Sequence, residues 1–279
     1  MSPYLLFEKS VKEALLEDLG RAGDITSEAI FSKNIQIEAT LVARKSGILC
    51  GTSIALTAFK LVDPEIRYEN LLKDSALINS GDIIARINGS ATSILAAERV
   101  ALNFLGHLSG IASLTAKYVS KISHTHAKIC DTRKTTPNLR ALEKYAVSCG
   151  GGSNHRFGLD DAILIKDNHI AVAGGVTSAL RAAKEKIGHL VKIEIEVDTL
   201  DQLREALNEG ADVILLDNMS IAQLEEAVKI INKQALSEAS GGISLDTVAT
   251  VAETGVDLIS VGALTHSAPV LDMGLDILL

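Results

Sequence analysis

Apolar and polar positions follow two rhythms along this chain, one in its first part and another after it. Leu5–Leu19 alternates apolar and charged residues at helical spacing, and Gly23-Asp24-Ile25-Thr26 then reads as a loop. Gln36–Ala43 and Gly47–Cys50 have the pattern of short strands, Ser53–Leu61 suits a helix, and Arg67–Asn70 and Asp82–Asn88 add further strands. Ser93–Ser120 is a long Ala/Leu-rich helical stretch, with Gly106 and Gly110 as candidate interruptions. Helices and strands mixed without a simple repeat predict an α+β domain. The second rhythm is regular. Ala127–Asp131 precedes a helix over Leu139–Cys149, Ala162–Asp167 one over Thr177–Lys186, and Val191–Val197 one over Leu200–Glu209. Val213–Asp217 precedes Ile221–Ile231, Gln234–Glu238 precedes Ser244–Thr254, and Asp257–Val261 ends the series. Such strand–helix periods predict a parallel sheet, either closed as a barrel or open and doubly wound.

Polar residues at the strand ends decide between these two. Asp131, Lys166, Glu196, Asp217, Ser240 and Gly262 each fall at the carboxyl end of a successive strand. A parallel barrel gathers all such ends at one mouth, whereas an open sheet shares a site only at its switch point. A barrel is therefore expected. Side-chain alternation in Lys192–Val197 agrees: Ile193, Ile195 and Val197 should face surrounding helices, and Lys192, Glu194 and Glu196 the barrel interior. An edge strand with one wet face is the competing reading. The neighbouring strands are almost wholly apolar, which favours a central position.

Charge changes the picture. The chain has 27 Lys+Arg against 35 Asp+Glu, a formal net charge of −8. Within it Arg133, Lys134, Arg140, Lys144, His155, Arg156, Lys166 and His169 gather around Gly150–Gly152. A cationic cluster in an acidic protein marks a place for a small, highly charged anion. A solvated basic face is the alternative, and the glycines and apolar strand beside these cations speak against it. Aromatic residues are 3% and Trp is absent, so stacking platforms for single-stranded nucleic acid are lacking. The acidic balance opposes duplex binding as well. The first twenty residues carry scattered acidic groups and do not read as a signal peptide, and no apolar run is long enough for a bilayer. Cys50, Cys130 and Cys149 show no metal or redox spacing, and scattered thiols in odd number suit a reducing cytoplasm.

Candidate chemistry then attaches to particular residues. Ser240-Gly241-Gly242 joins a strand to a helix, and Gly262 ends the next strand. Glycine backbone and helix N-termini favour anions, and late strand–loop units of barrels commonly hold phosphate; each alone is equally a plain turn. Glu196 and Asp217 end neighbouring strands and suit Mg²⁺ or sugar hydroxyls, or else structural ion pairs. Ser220 is itself a good helix cap, which leaves Asp217 for another role. Arg133, Lys134, Arg156 and Lys166 suit carboxylates and a pyrophosphate; Lys166 has a rival reading as a Schiff-base lysine. His155 suits a carboxylate. For His169 and His266 a structural hydrogen bond is an equal reading, His124 and His126 are expected to be solvated, and Arg99 has the alternative of pairing along its helix.

The motifs taken together are specific. GDIT at Gly23–Thr26, ERVALNFL at Glu98–Leu105 and LSGIAS at Leu108–Ser113 are followed by DTRKTTP, LEKYAV, CGGGSNHR, LIKDNHI, EVD, LLDNM, EASGGI and ISVGALTHS. Nearly end to end, the chain resembles the quinolinate phosphoribosyltransferase family. The resemblance implies an N-terminal α+β open sandwich over residues 1–104, an incomplete six- or seven-stranded α/β barrel over 105–267, and a tail, 268–279, that returns to the first domain. It implies formation of nicotinate mononucleotide, CO₂ and pyrophosphate from quinolinate and phosphoribosyl pyrophosphate with Mg²⁺ and no organic cofactor. Arg133, His155 and Arg156 would hold the quinolinate carboxylates, joined by Arg99 from a neighbouring subunit of a homodimer or higher oligomer. Thr132, Lys134 and Lys166 would help bind substrate and pyrophosphate. Glu196 and Asp217 would face the ribose and Mg²⁺, and Ser240, Gly241, Gly242 and Gly262 the 5′-phosphate. Lys134, Lys166, Glu196 and Asp217 are the expected catalytic set. Asn138 departs from a common Gly, which a left-handed turn tolerates, and Gly106-His107 departs from a more usual polar-basic pair. A paralogue acting on another aromatic acid, a Schiff-base lyase using Lys166 and a non-catalytic metabolite sensor are the alternatives.

Overall fold

The computed structural model describes residues 3–31 and 35–278, with side chains from Phe7 onward. Met1 and Ser2, at the start of the expected first domain, and Leu279, at the end of the expected tail, lie outside the described residues, as do residues 32–34. The first part of the chain runs α1 (Pro3–Leu19), α2 (Ile25–Ile30), β1 (Gln36–Ala43), β2 (Gly47–Ile48), α3 (Thr52–Val62), β3 (Arg67–Asn70), β4 (Leu77–Ile78), β5 (Ile83–Ser90) and α4 (Ala91–Lys121). The second part runs β6 (Lys128–Cys130), α5 (Arg140–Cys149), β7 (Ile163–Ile165), α6 (Asp167–Ala173), α7 (Val176–Lys186), β8 (Ile193–Val197), α8 (Leu200–Asn208), β9 (Val213–Asp217) and α9 (Ile221–Ile231). It ends with β10 (Leu236–Ser240), α10 (Val248–Glu253), β11 (Leu258–Ser260), α11 (Ala263–His266) and β12 (Met273–Leu278). Two compact units result. One comprises Met1–Ala116, Thr135–Gly151 and Thr265–Leu279; the other comprises Lys117–Lys134 and Gly152–Leu264.

In the first unit, the strongest apolar pattern becomes α3, which buries Ile54, Ala55, Leu56, Ala58 and Phe59. Its sheet has the order β12-β1-β5-β3 and is antiparallel, with Ala39 opposite Ile277 and Ile87. The expected loop at Gly23–Thr26 ends earlier than its polar composition suggests. Asp24 caps α2, accepting from the backbone N–H groups of Thr26 and Ser27 at 3.1 Å each. The short strand β4, which pairs with β2, has too few residues to leave a pattern. Asn138 takes a left-handed φ of 66°, as its place in the turn requires.

The expected interruptions of α4 do not occur. The helix passes unbroken through Gly106 and Gly110 because these glycines receive another segment of backbone. Leu271 N–H donates to Gly106 O at 3.0 Å. A Cβ at Gly106 would lie 2.8 Å from Leu271 O, and one at Gly110 only 2.2 Å from Pro269 O.

In the second unit, six parallel strands take the order β6-β11-β10-β9-β8-β7. From β8 to β11 each strand pairs with its predecessor, and β6, the first of the sheet in the chain, pairs with β11, the last. An order without reversal, with the first strand beside the last, is that of a barrel rather than a doubly wound sheet. The barrel is incomplete between β6 and β7, where a bridge from Cys130 to Ser153 precedes β7. Ile193, Ile195 and Val197 are buried, as alternation requires. Lys192 is a correction: it precedes β8, and its ammonium pairs with Asp212 at 2.5 Å at the amino end of the next strand instead of entering the barrel. Strand β10 also begins and ends two residues later than expected, and α10 begins at Val248, because Ser244–Thr247 is a side-chain-stabilised turn (Ser244 N–H to Thr247 Oγ1, 3.0 Å).

Replacing glycine by alanine inside a helix ordinarily gains about 1 kcal/mol. For Gly110→Ala we expect instead a loss of about 1–3 kcal/mol in urea unfolding, because the methyl group meets the Pro269 carbonyl. A gain would mean that the 269–271 segment yields freely.

Candidate active site

The carboxyl ends of the barrel strands enclose a cavity of about 640 Å³, within the usual range for small-molecule sites. Thr132, Arg133, Lys134, His155, Arg156, Lys166, Glu196, Asp217, Ser240, Gly241 and Gly242 all line it. Of the expected site residues, Gly262 is not among the lining residues, and Arg99 is exposed on α4 in the other unit. Sequence reasoning missed Leu164, Leu215, Asn218, Glu238 and Ser260 as wall residues.

The floor is an acid cluster. Asp131, Glu194 and Glu238 are buried, and His155 ties them together. Asp131 Oδ1 accepts the His155 backbone N–H at 2.9 Å. The ring Nδ1 accepts the Arg156 backbone N–H at 2.8 Å, which leaves Nε2 as the ring's N–H donor. From there it reaches Glu194 Oε2 at 2.9 Å, with Glu238 Oε1 at 3.7 Å. His155 lines the cavity beside Arg133 and Arg156, as expected, and without a ligand its Nε2 faces the acidic floor. Burial, followed by the charge of Glu194, pushes the Glu238 carboxyl up to about 7, only partly offset by His155. Alternation along the strands was the available signal, since Glu194 and Glu238 stand two residues before Glu196 and Ser240 on the same faces.

Arg156 is fixed by donation from Nη1 to Ala162 O at 3.1 Å, while its buried Nε has no hydrogen-bond partner. Burial, then the nearby positive charge of Arg133, lowers its pKa. Two guanidinium groups held close in a half-buried wall favour an anion between them. The cluster also holds its loop: Lys134 N–H donates to Thr132 Oγ1 at 3.0 Å. Lys166 stands 2.5 Å from Glu196 Oε2. An amine nucleophile needs an apolar pocket or another cation beside it, so this ion pair speaks against the Schiff-base reading. His169 proves structural, its Nδ1 accepting the Lys166 backbone N–H at 2.9 Å. His266 contacts Ser267 Oγ at 2.6 Å. His124 and His126 are exposed but lie within 3.0 and 3.6 Å of Glu253 and Asp257.

At the far side of the cavity, Asn218 takes a left-handed φ of 52° and donates from Nδ2 to Asp217 Oδ2 at 2.6 Å. Its backbone N–H donates to Ser240 O at 3.0 Å. Gly241, at φ 97°, packs so closely that a Cβ would fall 2.1 Å from Asn218 Oδ1. The turn after β10 is therefore built of bare backbone. Helix α10 starts too late to bring its N-terminus directly after the glycines, so any anion here meets the turn itself. Ser220 caps α9 with Gln223, as its position suggested.

These features define an α/β-barrel protein with a polar cavity at its strand ends, lined by Arg133, Lys134, Arg156 and Lys166. Models of the quinolinate phosphoribosyl transferase N-terminal and C-terminal domains match residues 24–109 and 111–276, and the chain belongs to this family. It is 45% identical over 276 residues to a probable nicotinate-nucleotide pyrophosphorylase [carboxylating] of Bacillus subtilis, covering 99% of this chain and 95% of that one. It is 44% identical over 273 residues to the nicotinate-nucleotide pyrophosphorylase [carboxylating] of Mycobacterium leprae, covering 96% of each. The solved nicotinate-nucleotide pyrophosphorylase of Francisella tularensis superposes with a TM-score of 0.95 at 40% identity, over 100% of this chain and 98% of that one.

The position of Glu238 generates a pH prediction. Its folded pKa lies above the ordinary glutamate value of 4.5, so the native state binds the proton more tightly than the unfolded chain. Its contribution to stability is therefore greatest below about pH 4.5 and declines as pH rises to about 7, by a total on the order of 3 kcal/mol. Glu238→Gln should remove this decline, so the loss of urea stability between pH 5 and pH 8 should be smaller in the variant. An unchanged pH slope would show that Glu238 is not the titrating group.

Proposed function

We propose that this chain transfers the phosphoribosyl group of phosphoribosyl pyrophosphate to quinolinate and releases CO₂, giving nicotinate mononucleotide and pyrophosphate. The observation that carries this reading is the division of the cavity. Arg133 and Arg156 border the barrel opening between β6 and β7, while the Ser240-Gly241-Gly242 turn follows β10 on the other side of the ring. A ligand with clustered carboxylates at one end and a phosphate at the other matches that layout. Glu196 and Asp217, on β8 and β9, stand beside the path between them.

In this reading Arg133 and Arg156 orient the pyridine dicarboxylate so that its ring nitrogen attacks the anomeric carbon of the ribose. Glu196 and Asp217 stabilise positive charge that develops on the sugar as pyrophosphate leaves. Lys134 and Lys166 hold the departing phosphates, and Thr132 turns the loop that presents Lys134. The product nitrogen is cationic and accepts the electron pair left on the adjacent carbon when CO₂ departs. His155 stands with Arg133 and Arg156 at the dicarboxylate, and its ring keeps Arg156 in register by accepting the Arg156 backbone N–H. Two neighbouring carboxylates fit Mg²⁺ shared with phosphate oxygens, rather than an all-protein cage. Glu196 and Asp217 would hold it, and when bound it would offset the charge of the pyrophosphate. The chain acts as a homodimer or larger assembly in the cytoplasm, with Arg99 reaching the substrate of a neighbouring subunit.

Incubation with quinolinate, phosphoribosyl pyrophosphate and Mg²⁺ should yield nicotinate mononucleotide and CO₂ in equal amounts, and chelation of the metal should stop both. Arg133→Ala should lower kcat/KM for quinolinate by about 10²-fold, the worth of a buried charge-assisted pair. A folded protein that forms neither product would overturn the reading.

The shared site has its own test. Arg99→Ala and Arg133→Ala proteins should each be nearly inactive alone. Mixed after subunit exchange they should recover about a quarter of wild-type activity, since half of random dimers are mixed and each holds one intact site. No recovery despite confirmed exchange would place Arg99 in its own subunit's site or in none.

A further inference from the structure

Cys50 and Cys149 are far apart in the chain and show no redox spacing, yet the fold of the first unit brings them together. Their sulfurs and a carboxylate oxygen of Asp74 all lie within 4.8 Å of one another. Cys50 directly precedes Gly51, the cap residue of α3, and Cys149 is the last residue of α5. Cys50 is fully buried and its backbone is held on both sides by Ser109, whose Oγ accepts from its N–H at 2.9 Å and donates to its carbonyl at 3.1 Å. Cys149 is only half-buried, so a small molecule meets it first.

The cluster is not built for a metal ion. Asp74 already receives Gly51 N–H at 3.0 Å, Thr52 N–H at 3.1 Å, Thr52 Oγ1 at 2.8 Å and Tyr145 Oη at 2.8 Å. Four donors occupy the lone pairs that a cation would need. Two sulfurs alone fall short of the four ligands of a structural zinc site. What remains is an asymmetric thiol pair. The Cys50 thiol donates to Cys149 Sγ, and the hydroxyls of Ser75 and Tyr145 also lie within hydrogen-bonding reach of that sulfur. These contacts, led by Cys50, bring the Cys149 thiol down to about 7 against the opposing effects of burial and the Asp74 charge. Cys50 shifts the other way, through its hydrogen bond to Cys149 and its burial. An accessible thiolate beside a buried second thiol is the arrangement of redox-responsive cysteines.

We propose that Cys50 and Cys149 form a reversible intramolecular disulfide by exchange with a small-molecule disulfide of the glutathione type. The Cys149 thiolate attacks one sulfur of the oxidant, breaks its S–S bond and releases one small thiolate. Cys50 then loses its proton and attacks Cys149 Sγ, releasing the second. The protein dithiol is oxidised by two electrons, and one small disulfide is reduced to two thiols. Only a modest approach of the two sulfurs separates the present contact from a bond of about 2.05 Å. In a reducing compartment such a bond is transient and forms only as the thiol pool becomes oxidised. The inference is independent of the reaction proposed above, because neither cysteine lines the barrel cavity.

The test is thiol counting and peptide mapping of the folded, full-length protein in glutathione buffers of increasing oxidised fraction. The wild type should lose two thiols per chain together, and digestion should yield the Cys50 peptide joined to the Cys149 peptide, separable by dithiothreitol. Cys130, buried at the end of β6, should keep its thiol. Cys50→Ser should stop at a mixed disulfide on Cys149, and Cys149→Ser should leave Cys50 unmodified. Wild-type protein that retains glutathione on Cys149 with Cys50 free, that cross-links between chains, or that keeps both thiols under strongly oxidising buffer would overturn the proposal.

Discussion

Three buried carboxylates beneath one cavity are the constraint on which the rest of the barrel mouth depends. Asp131, Glu194 and Glu238 converge from β8, β10 and the residue after β6. Isolated buried charges of this kind cost several kcal/mol each unless partners surround them. His155 is the partner that joins them, and it does so with its backbone and its ring at once. Because its Nδ1 is taken by the Arg156 N–H, the conformation of the next residue is fixed too. The position of Arg156 is thus a consequence of how the floor is neutralised. Glu238 relieves the remaining repulsion by holding a proton into the neutral range.

The opposite side of the cavity solves its problem without charge. Asn218 occupies a left-handed conformation so that its backbone and amide meet Ser240 and Asp217, and only a residue without Cβ can lie against it. Gly241 is that residue. The result is a turn with Gly241 and Gly242 exposed, held by a side chain that contributes no net charge. Guanidinium groups on one side and bare backbone on the other give the cavity its polarity, and neither depends on the helix that follows β10.

Much of this was legible in the sequence. Strand and helix periods give nearly every element of the barrel, and the strand-end rule gathers all but two of the expected site residues into one cavity. Gly262 and Arg99 fall outside for different reasons: the first ends a strand whose inward residue is Ser260, and the second belongs to a helix of the other unit. Where reading failed, the cause was distant contact. Gly106 and Gly110 look like breaks because a helix pattern says nothing about the Pro269–Leu271 backbone that they admit. The partners of Asp74 and the meeting of Cys50 with Cys149 likewise come from separate elements with no local signature. His155 falls in the expected cavity, but its contacts to Glu194 and to the Arg156 N–H leave no mark in the sequence, since composition does not reveal which ring nitrogen is engaged.

The chain is acidic, yet its cavity is read as a place for anions, and the two facts are compatible because fields act over different ranges. At physiological salt, exposed charges are screened beyond roughly 8 Å, so the net charge of the surface weakens quickly, whereas groups inside a partly buried cavity interact with little screening. The relevant balance is therefore local. There, Lys166 already faces Glu196, and Asn218 already faces Asp217. A ligand that brings phosphate to Lys166 and a cation or sugar to the carboxylates exchanges one set of partners for another, leaving no buried charge alone at either stage. Such exchange lets a site be strongly charged without being unstable when empty, and in the proposed reaction it leaves the choice of ligand to Arg133 and Arg156, where two cations stand close enough to oppose each other.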